Sequence, residues 1–376
     1  MKRILIAGAG PVGLTGAYVL ARAGIPVTVF ERGPDLAEDL RASTWHPPTL
    51  DMMAGLGFIE EILRDGLVAR HTHHRDRKTG AIAEFDMELL RGETAHPYRV
   101  QYEQFRYTRL VHRRLQAFPH AEVLFNTPVE NVSQSEQEVL VNSNHRGDYL
   151  IGADGAGSAV RRAAGIEFEG LTFPERFFVV STPFDFARHM DRLCYVNYIA
   201  DTEEWCVLLK VPGLWRCLFP THGESDEEVL ASAEKKLQGV YARPVPYETV
   251  HRSLYRVHQR VATRYRAGRV FLAGDAAHIN NPLGGMGMNG GLHDVLNLAE
   301  KMIHKGDLER YETERRPVAI EYINANTARN RKLMQERDPA ERRRAQDEMC
   351  RMAADPAAAK AFLMRSSMIE TLRRAA

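Results

Sequence analysis

Three glycines stand near the start of the chain, in the run Gly8-Ala9-Gly10-Pro11-Val12-Gly13. A short apolar run, 2–7, precedes them, and a helical pattern follows to Ala23, where Gly24 is placed to end it. A second apolar run, Val27-Thr28-Val29-Phe30, finishes at Glu31. The chemistry that this spacing serves is dinucleotide binding. Gly8 permits a tight turn, Gly10 lets backbone approach a pyrophosphate, and Gly13 lets the helix pack close to the strand. The helix start, with Pro11 and Val12 in its first turn, offers unpaired N–H groups and a positive dipole end to phosphates. Glu31 stands at the strand end from which a carboxylate accepts ribose hydroxyls. The motif alone leaves NAD and FAD both open.

Two further segments have the same strand–turn–helix character. Residues 149–151 lead into Gly152-Ala153-Asp154-Gly155, then a short helix with Ser158 as its N-cap. Residues 269–273 lead into Gly274-Asp275-Ala276-Ala277-His278 and then Pro282-Leu283-Gly284-Gly285-Met286-Gly287-Met288-Asn289-Gly290-Gly291. In the helix that follows, Leu292, Leu296, Ala299 and Ile303 recur at a spacing that predicts one buried face.

In this order and at these separations, the three segments resemble the single-component (group A) FAD-dependent aromatic hydroxylases, which share the p-hydroxybenzoate hydroxylase fold. The resemblance covers most of the chain and is weakest across its middle. It implies an α/β protein with a Rossmann-type (GR2-like) FAD-binding domain, an inserted antiparallel-sheet substrate domain and a C-terminal helical segment. Position by position, it implies that Glu31 holds the adenosine ribose with Arg32 beside it, and that Arg41 reaches the cofactor. Gln104, four residues before Thr108, matches a flavin-contacting glutamine, with Gln101 as its rival. Val129 matches a backbone contact to adenine. Asp154 matches the motif shared by FAD and NAD(P)H, and Asp275, after Gly274, the ribityl or pyrophosphate contact. Pro282 and the stretch from Gly284 through Gly285, Met286, Gly287 and Met288 to Asn289 would run beside the isoalloxazine.

Glycines at 284, 285 and 287 also have a physical use of their own. They let backbone lie against a flat ring, and a helix N-terminus stabilises negative charge on a reduced flavin. An ordinary phosphate nest is the competing use. No second strand–GxGxxG–helix unit follows residue 40, which favours this family over the two-dinucleotide disulfide reductases.

The activity implied is that of a monooxygenase. NADPH or NADH acts as a transient reductant, and O2 adds to the flavin at C4a as a hydroperoxide. One oxygen atom then goes to a small, electron-rich phenol-type or heteroaromatic ring, and water carries off the other. Two alternatives stay open: an FAD-dependent dehydrogenase without oxygen insertion, and a redox-sensing flavoprotein that signals to a protein partner.

Composition narrows the classes. The chain has 376 residues, with 50 Lys and Arg against 49 Asp and Glu, so no global charge draws it to nucleic acid or an anionic membrane. Residues 4–21 carry no charge, but four glycines and Pro11 interrupt them, which argues against a membrane span or a signal peptide. Cys194, Cys206, Cys217 and Cys350 lack CxxC spacing, which suits a reducing cytoplasm and gives no zinc ribbon. A cytoplasmic protein is expected, binding neither nucleic acid nor membrane, with a homodimer left open.

Because the three motifs lie far apart, the FAD-binding domain must be discontinuous: 1–70, 97–170 and 258–330. Residues 71–96 and 171–257 are then left for the substrate domain. In the second, 177–181, 193–199, 205–211 and 214–219 read as strands of an antiparallel sheet over the flavin. Candidate substrate contacts on that roof are Tyr195, Asn197, Tyr198, Trp205, Trp215 and Arg216, with Pro282 beneath, although aromatic packing explains each ring singly. Residues 331–376 read as helical and basic, with Arg342, Arg343 and Arg344 on a solvated face, and are too short for a thioredoxin-like domain. The run His71-Thr72-His73-His74 reads as an exposed loop, and no metal is expected. No GxSxG elbow offers a nucleophile.

Overall fold

The computed structural model describes residues 3–323, 334, 336 and 338–375. Its first sheet has six strands in the order Arg266–Ala267, Val270–Leu272, Tyr149–Gly152, Ile4–Ala7, Val27–Phe30 and Ala121–Leu124. All neighbours pair in parallel except the first two. Ile4, Leu5 and Ile6 are wholly buried, which is why that segment reads as an unbroken apolar run. The helix Pro11–Arg22 starts on a proline and closes at Ala23, with Gly24 left-handed at φ +78°. It packs against the helices Gln104–Leu115 and Gly287–Ile303.

The second of these helices buries Leu292, Val295, Leu298, Ala299 and Met302, so its inward face is centred differently from the spacing read in the sequence. The reason is Gly16. A Cβ there would lie 2.5 Å from Val295 Cγ2, so Val295 fills the space that the glycine leaves.

The second sheet has eight strands: His278–Ile279, His251–Ala262, Phe168–Thr182, Leu214–Thr221, Cys206–Val211, Val196–Ala200, His71–Asp76 and Gly80–Asp86. It is antiparallel except where Val196–Ala200 meets His71–Asp76. Alternation gives it two apolar faces. Phe178, Val180, Trp215, Cys217 and Phe219 face one way, toward Val229 and Leu237 of two short helices. Phe177, Tyr198, Val207, Leu218 and Tyr255 face the other way, toward Leu283 and Ala69.

Beyond the Gly80–Asp86 strand lie the helices Pro339–Ala354, Pro356–Ser366 and Ile369–Ala375. Met349, Phe362 and Leu363 close over Ala83, Phe85 and Leu90. Phe85 and Phe362 stack with ring centroids 4.4 Å apart.

The structure corrects two readings of the sequence. The run His71-Thr72-His73-His74 is not an exposed loop but most of a strand. Pairing across to Gly80–Asp86 puts the buried His73 on Glu84 at 3.0 Å, while His74 turns to the opposite face and stacks on Tyr198 at 5.1 Å. Arg342 does not share a solvated face with its neighbours; it folds inward onto Asp76. Burial pushes the Asp76 carboxyl up, but Arg342 and the amides of Lys78 and Thr79 outweigh it and hold it at about 2. Among the described residues no helix is long and apolar enough to cross a membrane.

Candidate functional site

Missing side chains bring the three glycine motifs together. A Cβ on Gly8 would lie 2.5 Å from the Ala153 carbonyl oxygen, so the first motif rests directly on the second. Gly274 is left-handed at φ +61°, and a Cβ there would meet Val12 Cγ2 at 3.0 Å. One on Gly291 would meet both Gly274 Cα and Val12 Cγ2 at 2.8 Å. The first helix, the 274–278 turn and the Gly287–Ile303 helix therefore converge at Val12. Neither of the two helices has a side-chain cap, so both carry free N–H groups at their starts. Gly10, by contrast, has nothing within 4 Å of where a Cβ would stand. That open cradle before an uncapped helix fits a pyrophosphate.

The acidic residues have distinct surroundings. Glu31 accepts from the amides of Ala9 and Gly33, both at 2.9 Å, and so ties the glycine loop to the end of the second strand. Arg32 is exposed beside it, and the amide of Thr127 donates to the Glu31 carbonyl at 2.8 Å, which brings the half-buried Val129 segment alongside. Asp154 accepts from Ser158 Oγ and the amides of Ala159 and Val160, capping the short helix Ala159–Ala163 together with Ser158. Asp275 is solvent-accessible, yet desolvation raises its carboxyl against the pull of His278 and Arg41. A side chain both accessible and surrounded by protein lies on a cleft floor. Arg41 and Gln104 belong to the same rim, since the Gln104 amide donates to the Ala42 carbonyl at 2.9 Å. Gln101 is buried and exchanges hydrogen bonds with Thr44, which leaves Gln104 as the amide nearer the opening.

Under this floor the 274–278 turn is anchored by charge. Asp294, wholly buried, accepts from His278 Nε2 and Arg315 Nε, both at 2.8 Å, and from the Gly274 amide at 3.2 Å. Sequence spacing gave no sign of this triad, because its members come from three separate elements.

The 282–289 stretch serves packing as much as access. Pro282 is half-buried and its carbonyl accepts from the Gly285 amide at 2.9 Å. Met286 and Met288 point into the core. Asn289 spends its side chain on the protein, accepting from the His46 amide and donating to the carbonyls of Thr44 and Gly285. Gly285 is left-handed at φ +68°, and a Cβ would meet Thr44 Cβ at 2.9 Å. A valine there would thus strike Thr44 and strain the backbone, rather than displace a ring in the cleft. His46 donates through Nε2 to the Gly284 carbonyl at 2.8 Å, and burial, then Arg99, hold its pKa well below the ordinary range.

Sheet alternation sorts the roof candidates. Tyr195, Tyr198 and Trp205 lie with the apolar face that meets Leu283, above the glycine turn. Trp215 belongs to the opposite face and donates to Asp185 Oδ1 at 3.0 Å. Asn197 is buried and fully used, donating to the carbonyls of Cys194 and Leu208. These two are corrected: they turn away from the cleft. Arg216 stays on the cleft face, but its two terminal nitrogens donate to the carbonyls of Leu40 and Arg41, so it braces the rim loop. Tyr255, unremarked in the sequence, is only partly covered while burial raises its phenol strongly, the same cleft signature as Asp275. Its signal was the strand period of 254–257, with Leu254 and Tyr255 on opposite faces. Among the described residues no three His, Cys, Asp or Glu side chains are grouped to hold a metal.

Comparison with known proteins places this geometry. A family profile described as FAD binding domain matches residues 1–326. Para-nitrophenol 4-monooxygenase from Pseudomonas sp. (strain WBC-3) is 32% identical over 96% of this chain and 94% of its own length. The 6-hydroxy-3-succinoylpyridine 3-monooxygenase of Pseudomonas putida (strain DSM 28022 / S16) is 32% identical over 90% of this chain and 91% of its own. The crystal structure of p-nitrophenol 4-monooxygenase from Pseudomonas putida DLL-E4 superposes with a TM-score of 0.91 at 30% identity, covering 97% of this chain and 98% of that one.

Proposed function

The chain belongs to the single-component FAD-dependent aromatic hydroxylases of the FAD-binding-domain family, and we propose that it oxidises a small phenol or hydroxylated heteroaromatic ring at the expense of NAD(P)H and O2. The observation that carries this reading is the cleft itself. Three glycine motifs converge at Val12 beside the accessible, desolvated Asp275, and an aromatic sheet face packs on Leu283 of the neighbouring glycine turn, which supports a flavin and a ring between them. The two relatives of comparable length act, by name, on a nitrophenol and a hydroxypyridine, both small rings bearing a hydroxyl.

When bound, FAD supplies the redox chemistry, taking hydride from the nicotinamide and passing one atom of O2 to the ring. The residues of the chain bind, orient and exclude water. Gly10 and the first helix N-terminus would take the pyrophosphate, Glu31 the adenosine ribose and Asp275 the hydroxylated middle of the cofactor. Arg41 and Gln104 would close the rim, and the 282–289 backbone would flank the ring system. In the same reading, 1–70, 97–170 and 258–330 make up the FAD-binding part. Tyr195, Tyr198, Trp205 and Tyr255 would clamp the substrate ring and keep water from it, which protects a reactive oxygen donor from wasteful breakdown. Tyr255 would be the hydroxyl nearest the ring substituents.

The test is to load the protein with FAD and follow NADH and NADPH oxidation with a panel of para-substituted phenols and hydroxypyridines. Substrate-stimulated oxidation with hydroxylated product, absent without O2, is the expected result. Product formed anaerobically, or no stimulation by any ring, would overturn it.

A second measurement checks the adenosine end. Glu31→Gln removes the charge that two loop amides and a ribose would share, and charge-assisted hydrogen bonds contribute about 1.5–3 kcal/mol each. FAD affinity should fall about tenfold or more, while turnover at saturating FAD stays within about threefold, because a remote anchor contributes uniform binding. A variant that keeps full FAD affinity and loses turnover would contradict this role.

A further inference from the structure

Among the described residues, Arg99 is a buried cation with no counter-ion. It opens the short strand Arg99–Gln101, whose middle residue, Val100, enters the main core. Alternation turns Arg99 and Gln101 to the other face, where Gln101 meets Thr44 beside the glycine turn. Arg99 is 3% exposed, and among the described residues it forms no ion pair. Among the described residues its one side-chain hydrogen bond is from Nη2 to the Ser366 carbonyl at 3.2 Å, and both Nε and Nη1 are buried without a partner. The segment whose Ser366 carbonyl it bonds holds three more orphaned groups, the buried hydroxyls of Ser366, Ser367 and Thr371. Buried Arg315 is paired with Asp294, and buried Arg216 leaves only its Nε without a partner, whereas Arg99 leaves two nitrogens.

A guanidinium taken out of water with two nitrogens idle carries a large desolvation cost, which an anion in its fork would offset. Its field reaches His46, which holds the Gly284 carbonyl, so the guanidinium lies near the turn that borders the cleft. We propose that Arg99, with the hydroxyls of Ser366, Ser367 and Thr371, forms a site for one compact anion, brought in as a substituent of the aromatic substrate. The source of the anion rests on the hydroxylase reading above; the site itself does not. A free inorganic anion has the same chemistry and is the other source to separate. The C-terminal helices thereby become part of substrate selection, and the enzyme prefers rings with an anionic arm.

Binding to the FAD-loaded protein is measured by the flavin absorbance change for 4-hydroxybenzoate and for its methyl ester, in wild type, Arg99→Gln and Arg99→Lys. Arg99→Gln should weaken the acid about tenfold or more and the ester less than about twofold, with Arg99→Lys recovering part of the loss. In parallel, thermal stability is titrated with sodium chloride. Saturable stabilisation of wild type that Arg99→Gln lacks, with the acid-to-ester ratio unchanged, assigns the site to a free anion. If neither ring compound perturbs the flavin while chloride stabilisation still depends on Arg99, the hydroxylase reading fails and the anion site stands. An acid-to-ester ratio and a chloride response both indifferent to Arg99 would overturn the proposal.

Discussion

Gly13→Ala should leave a protein that is largely insoluble or, where soluble, free of flavin. The added methyl would stand 2.0 Å from the Gly8 carbonyl oxygen and 3.3 Å from Ile6 Cγ2. The obstacle is backbone, so no rotamer relieves it. The first helix must then move off the sheet by on the order of 1 Å. Overpacking of a core costs about 1–3 kcal/mol where side chains yield, and a backbone contact lies at the upper end or beyond. The displaced turn is also the one that would cradle the pyrophosphate, so binding and folding fail together. Gly55→Ala provides the control, because that glycine is exposed in the helix Pro47–Leu56 with nothing within 4 Å. It should raise stability by about 0.5–1 kcal/mol. Chemical denaturation and FAD content of both variants make the comparison, and wild-type values for Gly13→Ala would show that the helix seat is looser than its geometry.

The second large effect lies under the cleft floor. Asp294→Ala should destabilise the fold by about 3–5 kcal/mol, because it leaves the buried guanidinium of Arg315 without its partner. The paired replacement Asp294→Leu with Arg315→Met removes both charges and should recover much of that loss. The same carboxylate gives the wild type an acid limit. Burial raises its pKa, but His278 and Arg315 outweigh burial and hold it at about 2. A carboxyl held below its ordinary value stabilises the fold while ionised. Its contribution is therefore complete above about pH 4 and disappears between about pH 4 and 2, on the order of 2 kcal/mol in all. Urea midpoints across that window should fall steeply for wild type and less for the double variant. Equal slopes, or an Asp294→Ala midpoint unchanged at pH 7, would show that the triad contributes little.

The parts of the architecture written in local residue types were the ones legible from sequence. The turn at Gly8 to Gly13, the cap at Ser158 and the strand runs between 177 and 219 follow from glycine freedom, capping and apolar periodicity, all of which act over a few residues. What escaped was set by elements distant in the chain. Whether Trp215 or Arg216 faces the cleft depends on register with the Phe168–Thr182 strand. Arg342 looked solvated because nothing near it in sequence announces Asp76. His74 looked like a loop residue because polar side chains conceal a strand whose partner, Val196–Ala200, lies far downstream. Arg99 and Tyr255 passed unremarked for the same reason: a lone arginine or tyrosine becomes informative only when its surroundings are known.

The pairing of His71–Asp76 with Val196–Ala200 has a consequence for biosynthesis. The hairpin formed with Gly80–Asp86 emerges early from the ribosome, yet its inner edge must wait for a strand made much later. The apolar face of that hairpin, Ala83 and Phe85, waits longer still, since Met349, Phe362 and Leu363 follow it by more than 260 residues. Until then the nascent chain displays an unpaired strand edge and an uncovered apolar face at once, the combination that recruits neighbouring chains. Closure of this hairpin therefore waits for residues 349–363. Chains released short of residue 349 are the form most prone to aggregate, and slowing translation cannot protect this hairpin as it would a domain that closes in order.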